Sequence, residues 1–596
     1  MILQALKEYY DRKAADPDSG IAPLGWEWKG IPYLVVVTED GRFIRLEDTQ
    51  VVYGKKKRAK AFLVPSLGEA KGNGTKSNLF WENGEYFFGF PMDADKQQRD
   101  GEKYLSKVKE RHAVFVQKIQ KYGNELSSNS CFKGVLLFLQ NLDMTKIQQD
   151  PLWAEALQLN QSFLFAFENK GPITDISDIR DGVNAVLESI RMSKETVRCM
   201  VTGMMDAKSI LEAPIKGVVN ASTMGAHIVA VNNKISYSGN SGATPAFASF
   251  MKQQGENSPI GQVASLAYTT ALNTLLAKDS RQKMSVGDAT VVFWAGKESD
   301  FEGVMSTFFS EPPKDNPDRL VQNVAALFKS PQTGSASFSE DETTFYVLGL
   351  SPNAARIAIR FWHVGTVAEM AERFRTYFDD LQIVHGPKEQ DHLSLWRLLV
   401  STAVQGKSEN IAPNLAGNVM RSILEGLPFP ETLLQSVLTR IKVEHEVTYA
   451  RAKLIKGCLN RNWRFNNPNK ERSLTVSLDI QNANLGYRLG RLFAVLEKIQ
   501  EAASPNINAT IKDKFYGAAS TSPNTVFANL IRLSNNHLSK IKKEKPGYAV
   551  NLEKTLQEIL SSITLFPAHL SLDDQGQFAI GYYHQRQDFF TKKDVE

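Results

Sequence analysis

Cysteine is scarce. The 596 residues hold three, Cys131, Cys199 and Cys458, all far apart. That excludes a disulfide framework and a cysteine metal cluster within one chain, and it fits a reducing cytosol where thiols serve as small core residues. Long apolar runs are also missing. No stretch of about eighteen apolar residues occurs, so no membrane-spanning helix is expected, and the start MILQALKEYYDRK lacks the apolar length of a secretory signal. Charge of one sign is not in excess either. Seventy Lys and Arg stand against 65 Asp and Glu, a net +5, which excludes a histone-like coat of charge and leaves room only for local basic grooves.

Catalytic signatures are absent as well. The nine histidines are scattered, with no HxxxH or HxxEH pair, and no Gly-x-Ser-x-Gly elbow occurs. Gly406-Lys407-Ser408 matches the end of a phosphate-binding loop, but Ser401 stands where the first glycine belongs, and the preceding residues read as helix rather than strand. The expectation is therefore no catalytic residue, no metal site and no cofactor.

What is present begins with a loop, Lys71-Gly-Asn73-Gly-Thr75-Lys76-Ser77-Asn78, that follows a basic run, Lys55-Lys56-Lys57-Arg58-Ala59-Lys60. The run can neutralise phosphates. The loop offers amides, hydroxyls and an ammonium on a backbone loosened by glycines. The same residues also fit an ordinary hairpin connection beside a solvated face, and composition alone does not separate the two readings.

At this length three to four domains are expected. Residues 1–195 read as mixed α/β, with strands at Tyr33–Thr38, Phe43–Leu46 and Ala61–Val64. A hairpin is predicted over Trp81–Phe88 with Asn83-Gly84 as its turn, and a helix over Lys103–Tyr122. Residues 196–365 alternate strands (Val218–Asn220, His227–Val231, Thr290–Trp294, Phe345–Leu350, Arg356–Trp362) with a helix over Pro259–Leu276 capped by Asn257 or Ser258. Residues 366–473 read as mainly helical, including one long stretch over Leu433–Leu459. In 474–596, Leu485, Leu489, Leu492, Leu496 and Ile499 step at 4, 3, 4, 3, and the rhythm returns twice between breaks at Pro505, Pro546-Gly547 and Pro567. That is the pattern of an antiparallel helical bundle. The fold class is α+β: mixed α/β N-terminal and central regions followed by a C-terminal helical bundle.

Several blocks occur in one order along the chain: Ala61-Phe-Leu-Val-Pro65 with Asn78-Leu-Phe-Trp-Glu-Asn83, Asn257-Ser-Pro-Ile-Gly261 with Ala267-Tyr-Thr-Thr-Ala-Leu-Asn273, and Asp288-Ala-Thr-Val-Val-Phe-Trp294. Gly349-Leu-Ser-Pro-Asn-Ala-Ala-Arg356 with Arg360-Phe-Trp362, Arg451-Ala-Lys-Leu-Ile-Lys456 and Gly581-Tyr-Tyr-His-Gln-Arg586 follow. Together they resemble the large subunit of type I-C CRISPR Cascade surveillance complexes, from Met1 to near the C-terminus. The resemblance implies a non-enzymatic cytoplasmic subunit. It would recognise the protospacer-adjacent motif in duplex DNA, help to open an R-loop, hold the displaced strand and recruit the helicase-nuclease. Its partners would be the guide RNA with backbone, guide-processing and small subunits. The guide reads sequence by pairing, so the protein needs only a small reading site. A guide-processing or DNA-cutting nuclease and a purely structural assembly subunit are the competing classes.

Under the resemblance the loop becomes the motif reader. Asn73, Lys76 and Asn78 would lie at base edges, unless Asn78 braces the turn instead, and Thr75 and Ser77 would lie at phosphate. Lys55, Lys56, Lys57, Arg58 and Lys60 would clamp the duplex backbone. Arg356 and Arg360 would touch guide or DNA, or else pair with acids in an interface. Arg488, Arg491 and Arg532, with Lys540, Lys542, Lys543 and Lys545, would line a path for the displaced strand, against the plainer reading of a solvated bundle face. The resemblance also implies a separate small subunit made from an internal start. No methionine follows Met420, so a start near Leu474 or Val476 would use an alternative codon.

Overall fold

A computed structural model describes residues 1–53, 56–66, 76–158, 161–192, 194–209, 212–229, 258–286, 289–309, 320, 324, 338, 341–354, 356–412, 414–468, 474–505 and 507–590. They group into two compact units, Met1–Gly217 with Ala221–Lys278 and Pro352–Ile357, and Val218–Asn220 with Asp279–Ser351 and Ala358–Glu596. Residues 366–473 and the C-terminal helices thus fall in one unit.

The first unit opens with helix α1 (Ile2–Ala14), followed by strands β1 (Trp26–Gly30), β2 (Tyr33–Val37), β3 (Phe43–Asp48), β4 (Gln50–Tyr53), β5 (Lys56–Ala59), β6 (Ala61–Pro65) and β7 (Trp81–Asn83). β2 carries five successive apolar residues because both its faces are covered. It pairs antiparallel with β3 and parallel with β8 (Ser162–Phe167), in the order β3-β2-β8-β7. A parallel pair needs a crossover, and this one contains α2 (Gly84–Phe88), α3 (Ala94–Lys121) and α4 (Ser130–Gln140). Phe87, Phe88, Phe115, Phe132 and Phe138 from these helices are buried with Phe163 and Phe165 of β8.

Several local expectations are corrected here. Asn83-Gly84 is no hairpin turn: Asn83 caps α2, its Oδ1 accepting from the Tyr86 amide at 3.4 Å, and Gly89 closes the helix at φ +64°. An Asn at a helix start and a Gly at its end use the same residues as a turn, and burial of all five helix residues decides between them. Further on, after α5 (Ser177–Met192), β10 (Thr196–Arg198) and β11 (Met205–Ser209) form a hairpin (β9, Gly171–Pro172, pairs with β8). β12 (Ile260–Gly261) joins β11, so α6 (Gln262–Leu275) starts later than expected. Its capping acceptor is Asp206 Oδ2, 2.8 Å from the Val263 amide and invisible to local reading. Val218–Asn220 is not a strand, and Asn220 takes φ +61°. His227 makes a single bridge to Arg356, while 230–231 and Asn257 lie outside the described residues.

The second unit has a sheet in the order β13-β14-β15-β16, built from β13 (Lys283–Val286), β14 (Ala289–Ala295), β15 (Thr344–Asn353) and β16 (Arg356–Thr366). Phe293, Phe345 and Phe361 share a core with α7 (Phe301–Phe309), α8 (Val367–Leu381), α9 (Leu415–Glu425), α10 (Glu431–Glu444) and α11 (Tyr449–Asn466). The stretch expected as one helix over Leu433–Leu459 is broken between α10 and α11, where His445 takes φ +55° and Thr448 caps the next helix. The same core continues into α12 (Leu485–Ala503), α13 (Ile511–Thr521), α14 (Phe527–Glu544), α15 (Pro546–Ser561) and α16 (Leu572–Asp588). The expected breaks fall between α12 and α13, at the start of α15 and between α15 and α16, while α13 and α14 part at Pro523. The class is α+β with a C-terminal helical region.

Candidate nucleic-acid interface

The basic run lies on a two-stranded ribbon. β4 and β5 pair only with each other, in the register Val51↔Arg58 and Val52↔Lys57. Directly opposed residues share a face, so each valine of the ribbon has a cation beside it on its own face. Val51 is 57% and Val52 66% exposed, and Lys57, Arg58 and Lys60 are exposed too. The ribbon hinges on Thr49, whose amide donates to Pro32 O at 2.9 Å and whose carbonyl accepts from the Lys60 amide at 3.3 Å. A lone ribbon is marginal in water. From this one Lys57 Nζ reaches Glu155 Oε1 at 2.6 Å, a hydrogen bond that raises the Lys57 pKa. The Lys60 ammonium lies 5.5 Å from the centre of the Phe62 ring. Lys55 lies outside the described residues, and Lys56 belongs to β5.

The loop expected to read a DNA motif is described only at its C-terminal end, and Asn73 and Thr75 lie outside the described residues. Lys76 is half-exposed. Ser77 and Asn78 are buried, at 2% and 4% exposure, which corrects their assignment to phosphate and base edge. Ser77 Oγ donates to Val114 O at 3.4 Å, and the Asn78 amide donates to Glu82 Oε1 at 2.9 Å. The reason is the apolar block that follows. Leu79, Phe80 and Trp81 enter the core and draw the two polar residues in with them. Beside Ser66 and Leu79 opens a cleft of about 540 Å³, lined also by Lys118, Arg191 and Lys194. Arg191 is ion-paired with Glu188 and Asp206, and Lys194 donates to Gln262 Oε1 at 3.3 Å. These three cations were not among the expected site residues. Lys118 lies within the helix expected over Lys103–Tyr122, and Arg191 and Lys194 come from a helix end that shows no basic run.

The family described as CRISPR-associated protein (Cas_Csd1) matches residues 6–590. The chain belongs to that family. Among curated proteins nothing matches it. Membership implies a role in a CRISPR complex, and no helix among the described residues is long and apolar enough to cross a membrane. Among the same residues no three His, Cys, Asp or Glu side chains converge as a metal site would require.

The remaining cations of this Csd1-family chain divide by burial. Arg356 and Arg360 are exposed on β16. Arg491 is 2% exposed, its guanidinium forked onto both oxygens of Glu558 at 3.1 and 2.8 Å and bonded to Gln585 Oε1 at 3.1 Å. Arg488 is half-buried and donates to Asn482 O at 2.8 Å and Ser562 O at 2.7 Å. Both arginines bind the helical region's own acceptors, which removes them from an open strand path. Arg532, Lys540, Lys542, Lys543 and Lys545 are exposed along α14 and just beyond its end.

Proposed function

We propose that this Csd1-family chain is the non-catalytic large subunit of a type I-C RNA-guided complex, the subunit that recognises the protospacer-adjacent motif in duplex DNA. It helps unwinding and R-loop formation, holds the displaced strand along the cations of α14, and recruits a helicase-nuclease. Backbone, guide-processing and small subunits with the guide RNA complete its surroundings. The observation that carries the reading is the β4–β5 ribbon. A two-stranded ribbon is narrow enough for a DNA groove, and this one presents Arg58 and Lys57 on opposite faces without joining the hydrophobic core. The loop that contains Asn73 and Lys76 follows β6, the next strand along the chain.

The test is binding of the assembled complex to duplexes with matched and altered flanking motifs. Asn73→Ala and Lys76→Ala should each lower discrimination by about 1–3 kcal/mol, the worth of a good base contact, while Asn78→Ala should act through stability instead. Unchanged discrimination in both loop variants overturns the motif-reading role. Cleavage of DNA or guide RNA by the isolated chain with magnesium or manganese would overturn the non-catalytic role.

A further inference from the structure

The sheet β13-β14-β15-β16 is apolar on both faces, and β14 is buried throughout. One face carries Phe293, Phe345 and Phe361 into the hydrophobic core. At one end of the other face stand three rings from three adjacent strands: Trp294 on β14, Tyr346 opposite it on β15, and Trp362 on the edge strand β16. Trp294 is 1% exposed and forms the floor. Tyr346 and Trp362 are half-exposed, with centroids 5.6 Å apart and planes within 14° of parallel, and each lies within 5.7 Å of Trp294. Aromatic pairs in this unit's core are mostly tilted or edge-on, such as Phe301–Phe345 at 79° and Phe493–Phe527 at 84°. Near-parallel rings at a surface instead offer flat π area to a further ring.

The chemistry around the rings narrows the ligand. Arg360 is exposed and lies two residues before Trp362, hence on the same face of the strand and roughly 7 Å along it. Val364, two residues after Trp362, is 48% exposed. The whole strand Arg356–Thr366 has no acidic residue. An edge strand with exposed apolar side chains is one that proteins ordinarily cover or blunt. A flat apolar surface next to a guanidinium suits a planar ring joined to an anion, which is a nucleotide with its phosphate.

We infer that Tyr346 and Trp362, seated on Trp294, form a stacking site for an unpaired nucleobase of a single strand, with Arg360 on the adjoining phosphate. The inference rests on the reading of the chain as a nucleic-acid-binding subunit, but not on motif recognition. The strand is either displaced DNA or guide RNA, which share this chemistry.

The experiment uses the full chain with labelled oligothymidylate, oligouridylate and an abasic oligomer, each about ten nucleotides long, followed by fluorescence anisotropy. Trp362→Leu and Tyr346→Leu should each weaken binding of the base-bearing strands about tenfold and leave the abasic strand unaffected. Trp362→Phe, which keeps a stacking ring, should restore most of the affinity. Arg360→Gln should weaken all three strands and flatten their salt dependence. The tighter of the DNA and RNA arms identifies the source. No probe carries a duplex flanking motif, so these affinities report the stacking site alone and its failure is distinguishable from failure of motif reading. Parent affinity for the abasic strand equal to that for oligothymidylate overturns the inference, as does unaltered binding by both leucine variants. If a leucine variant does not fold, ultraviolet cross-linking of the parent chain decides: adducts on Tyr346 or Trp362 support the site, and adducts confined to other peptides refute it.

Discussion

At the scale of single residues, burial sets the chemistry more than partners do. Glu212 is 4% exposed and accepts hydrogen bonds from the Val229 amide at 2.8 Å and the Tyr268 hydroxyl at 2.6 Å. Both bonds favour the carboxylate, yet burial outweighs them and pushes the group up to about 7. His227, 3.7 Å away, does not offset this, because burial lowers its own pKa and disfavours its charge. The folded state therefore binds a proton more tightly than the unfolded chain, where a carboxyl titrates near 4.5. The stabilisation is fully present below that value and is lost as pH rises through about 7. Glu212→Gln should abolish this dependence. Between pH 5 and 8 the stability difference between parent and variant should change by about 2.5 kcal/mol, the parent losing ground as pH rises. Denaturant unfolding of both proteins across that range checks it, and a difference that stays flat would refute the assignment. The same primacy of burial explains the correction at Ser77 and Asn78. Their side chains suit DNA contact, but the sequence does not say which end of a Gly/Asn loop the core takes in. Lys76, one residue earlier, stays half-exposed.

At the scale of elements, periodicity was legible and close approach was not. The 4, 3, 4, 3 steps of Leu485 to Ile499 correspond to α12, and the prolines mark breaks between the later helices. The all-apolar run of β2 was readable as a strand for the same reason. Decisions that rested on distant partners were not readable: Asp206 starts α6, and a left-handed His445 splits a stretch whose apolar ladder continues on both sides. The facing glycines of α12 and α16 are the clearest case. A Cβ on Gly490 would lie 2.0 Å from Phe578 O and 2.8 Å from the Tyr582 amide nitrogen, and one on Gly581 would lie 2.1 Å from Tyr487 O. These obstacles are backbone, so α12 and α16 would have to separate. Gly517, inside α13, is the opposite case, because a Cβ there would meet nothing within 4 Å. Gly490→Ala should thus cost about 3 kcal/mol or more, while Gly517→Ala should add about 0.4–1 kcal/mol by restricting the unfolded chain. Equilibrium unfolding of the two variants gives opposite signs if the helices touch as described, and similar values if they do not.

At the scale of the whole molecule, a net charge of +5 across 596 residues is too small for diffuse attraction to hold DNA. Affinity must come from places where cations gather, and the ribbon tests that directly because it holds an internal competitor. Glu155 occupies Lys57 at 2.6 Å while Arg58 and Lys60 stay exposed. Each phosphate contact contributes about 0.9 to the slope of log affinity against log salt. Replacing Arg58 and Lys60 by alanine should therefore reduce that slope by about 2 and weaken matched and altered duplexes alike. Glu155→Gln should act in the other direction, freeing Lys57, steepening the slope by about 1 and tightening binding most at low salt. Loss of the Glu155 ion pair carries little stability cost, since both partners are nearly half-exposed. A general disturbance of the fold would weaken binding in both variants. Titrations between about 50 and 200 mM salt distinguish the cases: opposite changes in slope assign the clamp to β4–β5, and changes of the same sign, or changes seen only with the matched motif, move it elsewhere on the chain.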